Sequence, residues 1–195
     1  MSNFRSTGLD AGLHFLADRV RGRIQESSSQ PIFVAIDGRS GSGKSTFAQE
    51  LAKELTSYNI PSLTIEVEEW AQGWFDLRGA VDRVTSIVEA LRNSTGVETQ
   101  RWNWVSEQWN QTETLFRHPV TIVAGCGAGL TQCDYTVWIE APEELRLSRV
   151  QNRDDYDWSE FWQVWADQES ELYQIYDVPA HADYQLSTSS GPNYP

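Results

Sequence analysis

The chain has 195 residues, 39% apolar and 22% charged, the balance of a globular protein long enough to bury one sizeable core. Its net charge of −13 argues against a nucleic-acid partner, because such a surface repels phosphate backbones. No apolar run approaches the ~20 residues that cross a bilayer, and no signal-peptide core opens the sequence; the expectation is a cytoplasmic protein with no membrane partner, one domain over residues 1–190.

Leu13, Leu16, Ala17, Val20 and Ile24 recur at helical spacing and predict a helix over about 9–25. A polar break at 27–30 leads into Ile32-Phe33-Val34-Ala35-Ile36, an apolar run that reads as a buried parallel strand. Directly after it, Gly38-Arg39-Ser40-Gly41-Ser42-Gly43-Lys44-Ser45-Thr46 fits G-x-x-x-x-G-K-[ST], the phosphate-binding P-loop. Its glycines let the backbone wrap an anion closely, and its N–H groups form a nest backed by a helix N-terminus. Gly38, Ser40, Gly41, Ser42, Gly43, Lys44, Ser45 and Thr46 are the expected nucleotide contacts. Lys44 is placed to reach the β- and γ-phosphates, and Ser45 to offer its hydroxyl to Mg²⁺. Phe47, Ala48, Leu51, Ala52 and Leu55 continue as a helix to about Ser57. Strand, glycine loop and helix thus stand in the order the motif requires; the alternative is a glycine turn of structural use only.

Leu63 to Val67 predicts a second strand, with Glu68 and Glu69 at its C-terminal end, where ligands bind in open α/β sheets. They are either site carboxylates or solvated surface charges. Val81, Val84, Ile87, Val88 and Leu91 mark another helix. Residues 93–100 read as a polar loop, and 101–110 is aromatic without a clear period. Val120 to Ala124 is a third buried strand, closed by Gly125, Gly127 and Gly129. Tyr135 to Ile139 is a fourth, and Pro142 opens a helix to about Val150. Arg146, Arg149 and Arg153 share one face of that helix, as a phosphate-covering lid or as partners of Glu143, Glu144, Asp154 and Asp155. Residues 157–176 predict a long helix with Phe161, Trp165, Leu172 and Tyr176 inward. Tyr184 to Leu186 is a short last strand, and the polar tail from about 188 reads as disordered. The alternation of strands and helices gives a parallel, three-layer α/β/α sheet of the P-loop nucleoside triphosphate hydrolase/kinase fold.

Nine tryptophans fall as Trp70/Trp74, Trp102/Trp104/Trp109 and Trp158/Trp162/Trp165, with Trp138 alone. Helical spacing puts Trp162 and Trp165 in the core; Trp70, Trp74, Trp102 and Trp104 suit a substrate wall as well as core packing. Cys126 and Cys133 stand in no metal-binding pattern and read as reduced thiols.

No guanine-reading Asn-Lys-x-Asp run is present, which leaves a small-molecule kinase as the best class. Five segments carry a resemblance. They are Ile36 to Thr46, Glu68-Glu69-Trp70-Ala71-Gln72-Gly73-Trp74, Arg101-Trp102-Asn103-Trp104, Val123-Ala124-Gly125-Cys126-Gly127-Ala128-Gly129, and Glu144 to Arg149 followed by Arg153-Asp154. Together they are similar to motifs of the uridine kinase-like P-loop kinases, over about residues 30–190. The resemblance implies ATP and Mg²⁺ as cofactors and γ-phosphoryl transfer to a small hydroxyl acceptor, with a nucleoside among the candidates. It implies Glu68 as the base and, with Ser45, as a metal ligand; Lys44, Arg149 and Arg153 on the phosphates; and Glu69, Trp74, Arg101, Trp102 and Asn103 around the acceptor. A homodimer is left open.

The chain departs from that pattern at three places. Ala124 stands where the family has a glutamate that organises Mg²⁺, Asn103 replaces an aspartate, and Glu68 and Glu69 are one methylene longer than the family's aspartates. The alternative is a nucleotide-binding protein with weakened or lost catalysis, in a sensory or scaffolding role. Another P-loop hydrolase or small-metabolite kinase on the same fold is a third reading.

Overall fold

A computed structural model describes residues 4–6, 8–26, 30–153 and 159–188, with the side chains of residues 4–6, Arg153 and Ser159 outside that description. In chain order the elements are β1 (Phe4–Ser6), α1 (Leu9–Glu26), β2 (Ile32–Asp37), α2 (Lys44–Ser57) and β3 (Ser62–Glu66). A 3₁₀ turn over Val67–Trp70 leads to α3 (Leu77–Asn93), β4 (Gly96–Thr99), β5 (Trp102–Asn103), β6 (Gln108–Trp109) and β7 (Glu113–Phe116). There follow β8 (Val120–Ala124), a 3₁₀ turn over Ala128–Leu130, β9 (Tyr135–Glu140), α4 (Glu143–Arg153), α5 (Ser159–Tyr176), α6 (Val178–His181) and β10 (Tyr184–Ser187).

Six strands pair in the order β1-β10-β9-β2-β8-β3, and all of these pairs are parallel. The central β2 and β8 are buried along their whole length, which is why both read as predominantly apolar runs rather than alternating ones. On one face, Leu16, Ala17 and Val20 of α1 and Phe47, Ala48, Leu51 and Leu55 of α2 cover Val34, Ile36, Ile122 and Ala124. On the other, Val81, Val84, Val88 and Leu91 of α3 and Trp165, Leu172 and Tyr173 of α5 cover Phe33, Ala35, Ile65 and Val123. Each fully buried leucine or valine here contributes about 2 kcal/mol by leaving water. The β2 C-terminus opens into the P-loop, so both cores serve to fix that loop at the carboxyl edge of the sheet.

The structure corrects the sequence expectations in five places. Residues 96–99 are not loop but β4, which pairs antiparallel with β7, Val97 opposite Leu115. Inside that pair lies a second, two-residue ladder in which Trp102 faces Trp109 and Asn103 faces Gln108. These strands are short and polar, and in β7 only Leu115 is buried, so their period is too brief to register in the sequence. On α5 the inward aromatic is Tyr173, while Tyr176 is 38% exposed. Val67 leaves the strand for the 3₁₀ turn, and the edge strand β1 has no sequence signal at all. The polar break, the tail after Thr188, Trp158 and Asp154 to Asp157 lie wholly or largely outside the described residues.

Candidate active site

The P-loop is built by backbone geometry that its sequence permits. Gly43 caps α2 at φ +105°, and among the described residues no side-chain cap bonds the start of that helix. Its first-turn N–H groups keep their capacity for an anion, and the helix dipole adds to it. Gly41 sits at φ +78°, and a Cβ there would collide with the carbonyl of Arg146 on α4. Only glycine lets α4 pack this closely on the loop.

A buried carboxylate ties the loop to its surroundings. Asp37, at the end of β2, accepts hydrogen bonds from Gly38 N (2.6 Å), Gly127 N (3.0 Å), Tyr173 Oη (2.6 Å) and Gly129 N (2.8 Å). One side chain thus joins the P-loop, the turn after β8 and helix α5. Glu169 of α5, 1% exposed, takes Ser40 N at 2.8 Å and the Cys126 thiol at 3.1 Å, with Arg39 Nη1 3.7 Å away.

Lys44 points inward, 6% exposed, and donates to Arg39 O (3.2 Å) and Cys126 Sγ (3.5 Å). Burial opposes its charge, but the negative field of Glu68, Glu169 and Asp37 outweighs burial and holds the ammonium above its usual range. Ser45 donates its hydroxyl to Glu66 Oε2 at 2.9 Å. Glu68 Oε1 accepts Cys126 N at 3.0 Å, and the Glu68 carbonyl accepts Trp104 Nε1 at 3.1 Å. Lys44 and Glu68 therefore meet on the same residue, Cys126, at the mouth of the P-loop.

Next to them, Arg101 Nε lies 3.4 Å from Glu69 Oε2 and 3.0 Å from Glu113 Oε1, and its guanidinium covers the Trp70 ring at 5.4 Å. On the other flank, Arg146 Nη1 reaches Ser40 O (3.2 Å), and Arg149 Nη1 reaches Gly41 O (3.2 Å), Ser42 O (3.3 Å) and Thr188 Oγ1 (3.2 Å).

Known proteins place this arrangement. The family model described as "AAA domain" matches residues 34–173, which is most of the chain and includes the P-loop, both 3₁₀ turns and the Glu169 and Tyr173 contacts. The chain belongs to that family. Its fold is that of the P-loop kinases, as two solved structures show. A possible uridine kinase from Bacillus stearothermophilus is 18% identical, with a TM-score of 0.58 over 88% of this chain and 98% of that one. A candidate fructose transport system kinase from Silicibacter sp. TM1040 is also 18% identical, with a TM-score of 0.60 over 89% of this chain and 98% of that one. The YGR205w protein, 12% identical, aligns with a TM-score of 0.60 over 94% of this chain and 95% of that one. No curated protein matches the sequence. Among the described residues, no helix of this AAA-domain chain is long and apolar enough to cross a membrane.

Within that frame the residues singled out from sequence fall into three groups. Gly38 to Thr46, Glu68 and Arg149 converge on the loop. Glu69, Arg101 and Trp102 lie together on the β5 side, where Trp102 packs edge-on against Trp109 with centroids 5.3 Å apart. Trp74 is half packed into an aromatic cluster, stacked on Phe161 at 4.8 Å with planes 3° apart and edge-on to Trp104 at 4.9 Å. Asn103 spends its carbonyl oxygen on Val105 N (3.0 Å) and Ser106 N (2.9 Å), capping its own turn. The Arg153 side chain lies outside the described residues. Arg149 bonds loop carbonyls from the α4 side, and burial lowers its pKa.

Four further residues of the site were not singled out: Asp37, Glu66, Cys126 and Glu169. Asp37 directly follows one predicted strand and Glu66 is the next-to-last residue of another, both at the ligand-binding edge, so their positions carried a signal. Glu169 sits mid-helix, 125 positions after Lys44, and nothing local marks it.

Two of these carboxyls are shifted. Burial pushes Asp37 up to about 6 in spite of its four donors. Burial, then the Glu68 charge, pushes Glu66 up to about 7. Both hold a proton more tightly in the fold than in the unfolded chain. Their contribution to stability is therefore full below the unfolded values of 3.8 and 4.5 and is lost as pH rises through the folded ones. The nucleotide-free protein is expected to melt at a higher temperature at about pH 5.5 than at about pH 8. Glu66→Gln, which cannot ionise, should narrow the gap. Melting curves that coincide across this window would contradict the buried charges.

Proposed function

We propose that the chain is an ATP-dependent kinase that transfers the γ-phosphoryl group to a hydroxyl of a neutral small molecule, of the kind that uridine kinase-like enzymes use. One observation carries the reading: Lys44 and Glu68 converge on Cys126 at the open end of the P-loop. A phosphate-side cation and an acceptor-side carboxylate on one pivot are what in-line transfer to a hydroxyl needs.

The division of labour follows from the contacts. The uncapped N-terminus of α2 and the loop N–H groups hold the phosphates. Lys44 draws charge from the transferring group, and Glu68 accepts the acceptor's proton. Arg149, with Arg153 from the same helix, covers the phosphates when α4 closes. Oxygen donors suit magnesium, which keeps several waters and takes one or two carboxylates plus phosphate oxygens. Ser45 and the carboxylates at and just after the end of β3 fit that description. Bound with ATP, the ion neutralises charge that develops on the phosphates.

A neutral acceptor fits the charges on the β5 side. Glu68, Glu69 and Glu113 lie there, Arg101 is already paired with Glu69 and Glu113, and Arg83, over the Trp109 ring, is paired with Asp76. An acidic acceptor would have to displace those pairs. A cytoplasmic location and one domain over 1–190 accompany this reading. A nucleotide-binding protein without transfer is the second reading, favoured by Ala124, which offers no oxygen beside the loop.

The test is acceptor-dependent ADP release from Mg²⁺-ATP over a panel of nucleosides, neutral sugars and acidic hydroxy compounds. Turnover with a neutral member is the expected result. ATP quenching of tryptophan fluorescence with no turnover on any member would favour the second reading, and turnover confined to acidic members would refute the neutral acceptor.

A further inference from the structure

We propose that Glu66 supplies the metal-organising carboxylate of this site, moved one strand across the sheet, and that Ala124 is its complement rather than a lesion. The inference rests on the reading of the site as a magnesium–nucleotide site.

The register shows the exchange. Glu66 ends β3, Ala124 ends β8, and the two are paired residues of adjacent parallel strands. Paired residues of neighbouring strands point to the same face, about 4.8 Å apart. Ala124 belongs to the face covered by α2, packed with Ile36 and Ile122. The Glu66 side chain therefore leaves the sheet toward the N-terminus of α2, where Ser45 stands. A glutamate reaches several ångströms from its Cα, so a carboxylate rooted on either strand can serve the same spot.

The hydrogen bond to Ser45 holds two oxygens close enough for one ion to touch both. Two neighbouring oxygens in an octahedral magnesium shell, with bonds of about 2.0–2.1 Å, stand about 2.9 Å apart. Ser45 Oγ and Glu66 Oε2 stand 2.9 Å apart. The Ser45 hydroxyl is the loop oxygen that the P-loop motif assigns to the ion. Glu66 is half-buried, and among the described residues no Lys, Arg or His forms an ion pair with it. Burying a carboxylate with no cation in contact costs stability unless a ligand returns the charge.

Ala124 completes the argument. It is fully buried, with 0% exposure. A glutamate there would put a second carboxylate beside Glu66, and like charges directly opposite one another repel. One carboxylate across this strand pair is what the space accommodates. Glu68 is a poorer candidate for the same role, because its Oε1 is turned to Cys126 N.

The experiment uses Mn²⁺ as the probe, bound to the full chain with ADP and followed by the loss of the free-Mn²⁺ paramagnetic resonance signal. Glu66→Gln keeps the shape and a hydrogen bond to Ser45 while removing the charge. It should weaken Mn²⁺ in the ternary complex about 10- to 100-fold. ADP binding in excess chelator, read by tryptophan fluorescence, should change by less than about threefold. The paired change Glu66→Ala with Ala124→Glu should recover most of the Mn²⁺ affinity that Glu66→Ala alone loses. Mn²⁺ binding within about twofold of the wild type in Glu66→Gln would overturn the proposal, as would no recovery in a double variant that melts cooperatively. The two readings fail separately. Mn²⁺ binding governed by Glu66 with no acceptor turned over would sink the kinase and keep this inference. No ADP binding by the wild type would sink both.

Discussion

Lys44→Ala is expected to lower acceptor-dependent ADP release by about three orders of magnitude, the range seen when a fixed cation or oxyanion donor is removed from a transfer site. The expectation comes from where the ammonium sits. It is nearly sealed from water and held by Arg39 O and Cys126 Sγ, at the focus of Glu68, Glu169 and Asp37. A cation in that field is already desolvated, so an arriving phosphate meets it at full strength rather than through water. The same surroundings predict a second effect. Without Lys44 the carboxylates around it lose a nearby positive charge, and the nucleotide-free protein should melt at a lower temperature than the wild type. Turnover must therefore be measured well below the variant's own melting temperature, which differential scanning calorimetry supplies. A variant as stable as the wild type would show that the acidic groups around Lys44 do not depend on it. A variant that turns over within tenfold of the wild type would show that the loop does not position a transferring phosphate.

How much of this was legible in the sequence differs element by element. The P-loop was fully legible, because its chemistry is made by backbone and small residues in a fixed local order. Buried β2 and β8 were legible because both faces are covered and nearly every residue is apolar, Asp37 and Thr121 apart. The Trp102 to Trp109 ladder was not, because two-residue strands have no period and their pairing is set by tertiary contact. The site divides in the same way. Glu68 could be named from its place after a strand. Glu169 could not, since what makes it part of the site is that α5 lies across the P-loop, and no local pattern encodes that. Ala124 shows the limit of comparing one position at a time. Judged alone it is a missing oxygen; paired in register with Glu66 it has a carboxylate beside it. Asn103 makes the opposite point. As an amide it keeps an acceptor, but the fold uses that acceptor for Val105 and Ser106 N–H.

Glu68→Gln should lower kcat by about 10²- to 10⁴-fold, the usual worth of a positioned general base, and leave the KM for ATP within a few-fold. The substitution is well suited to separate chemistry from shape. Glu68 is fixed at two points, its Oε1 by Cys126 N and its carbonyl by Trp104 Nε1. A glutamine retains an amide oxygen for Cys126 N and does not touch the backbone contact, so the 3₁₀ turn over Val67–Trp70 should hold. What it cannot do is accept a proton from a hydroxyl. Glu69 provides the control in the same turn. Its carboxylate pairs with Arg101 and is half-buried, with its pKa raised by burial. Glu69→Gln would loosen Arg101 from one of its two partners and should act on the KM for the acceptor, by about tenfold or less, with kcat preserved. Steady-state kinetics on both variants, with one acceptor and saturating Mg²⁺-ATP, decide the assignment. If Glu69→Gln carries the kcat loss and Glu68→Gln does not, the base is the second glutamate of the pair. If neither does, proton removal is left to water, and neither glutamate of the pair is the base.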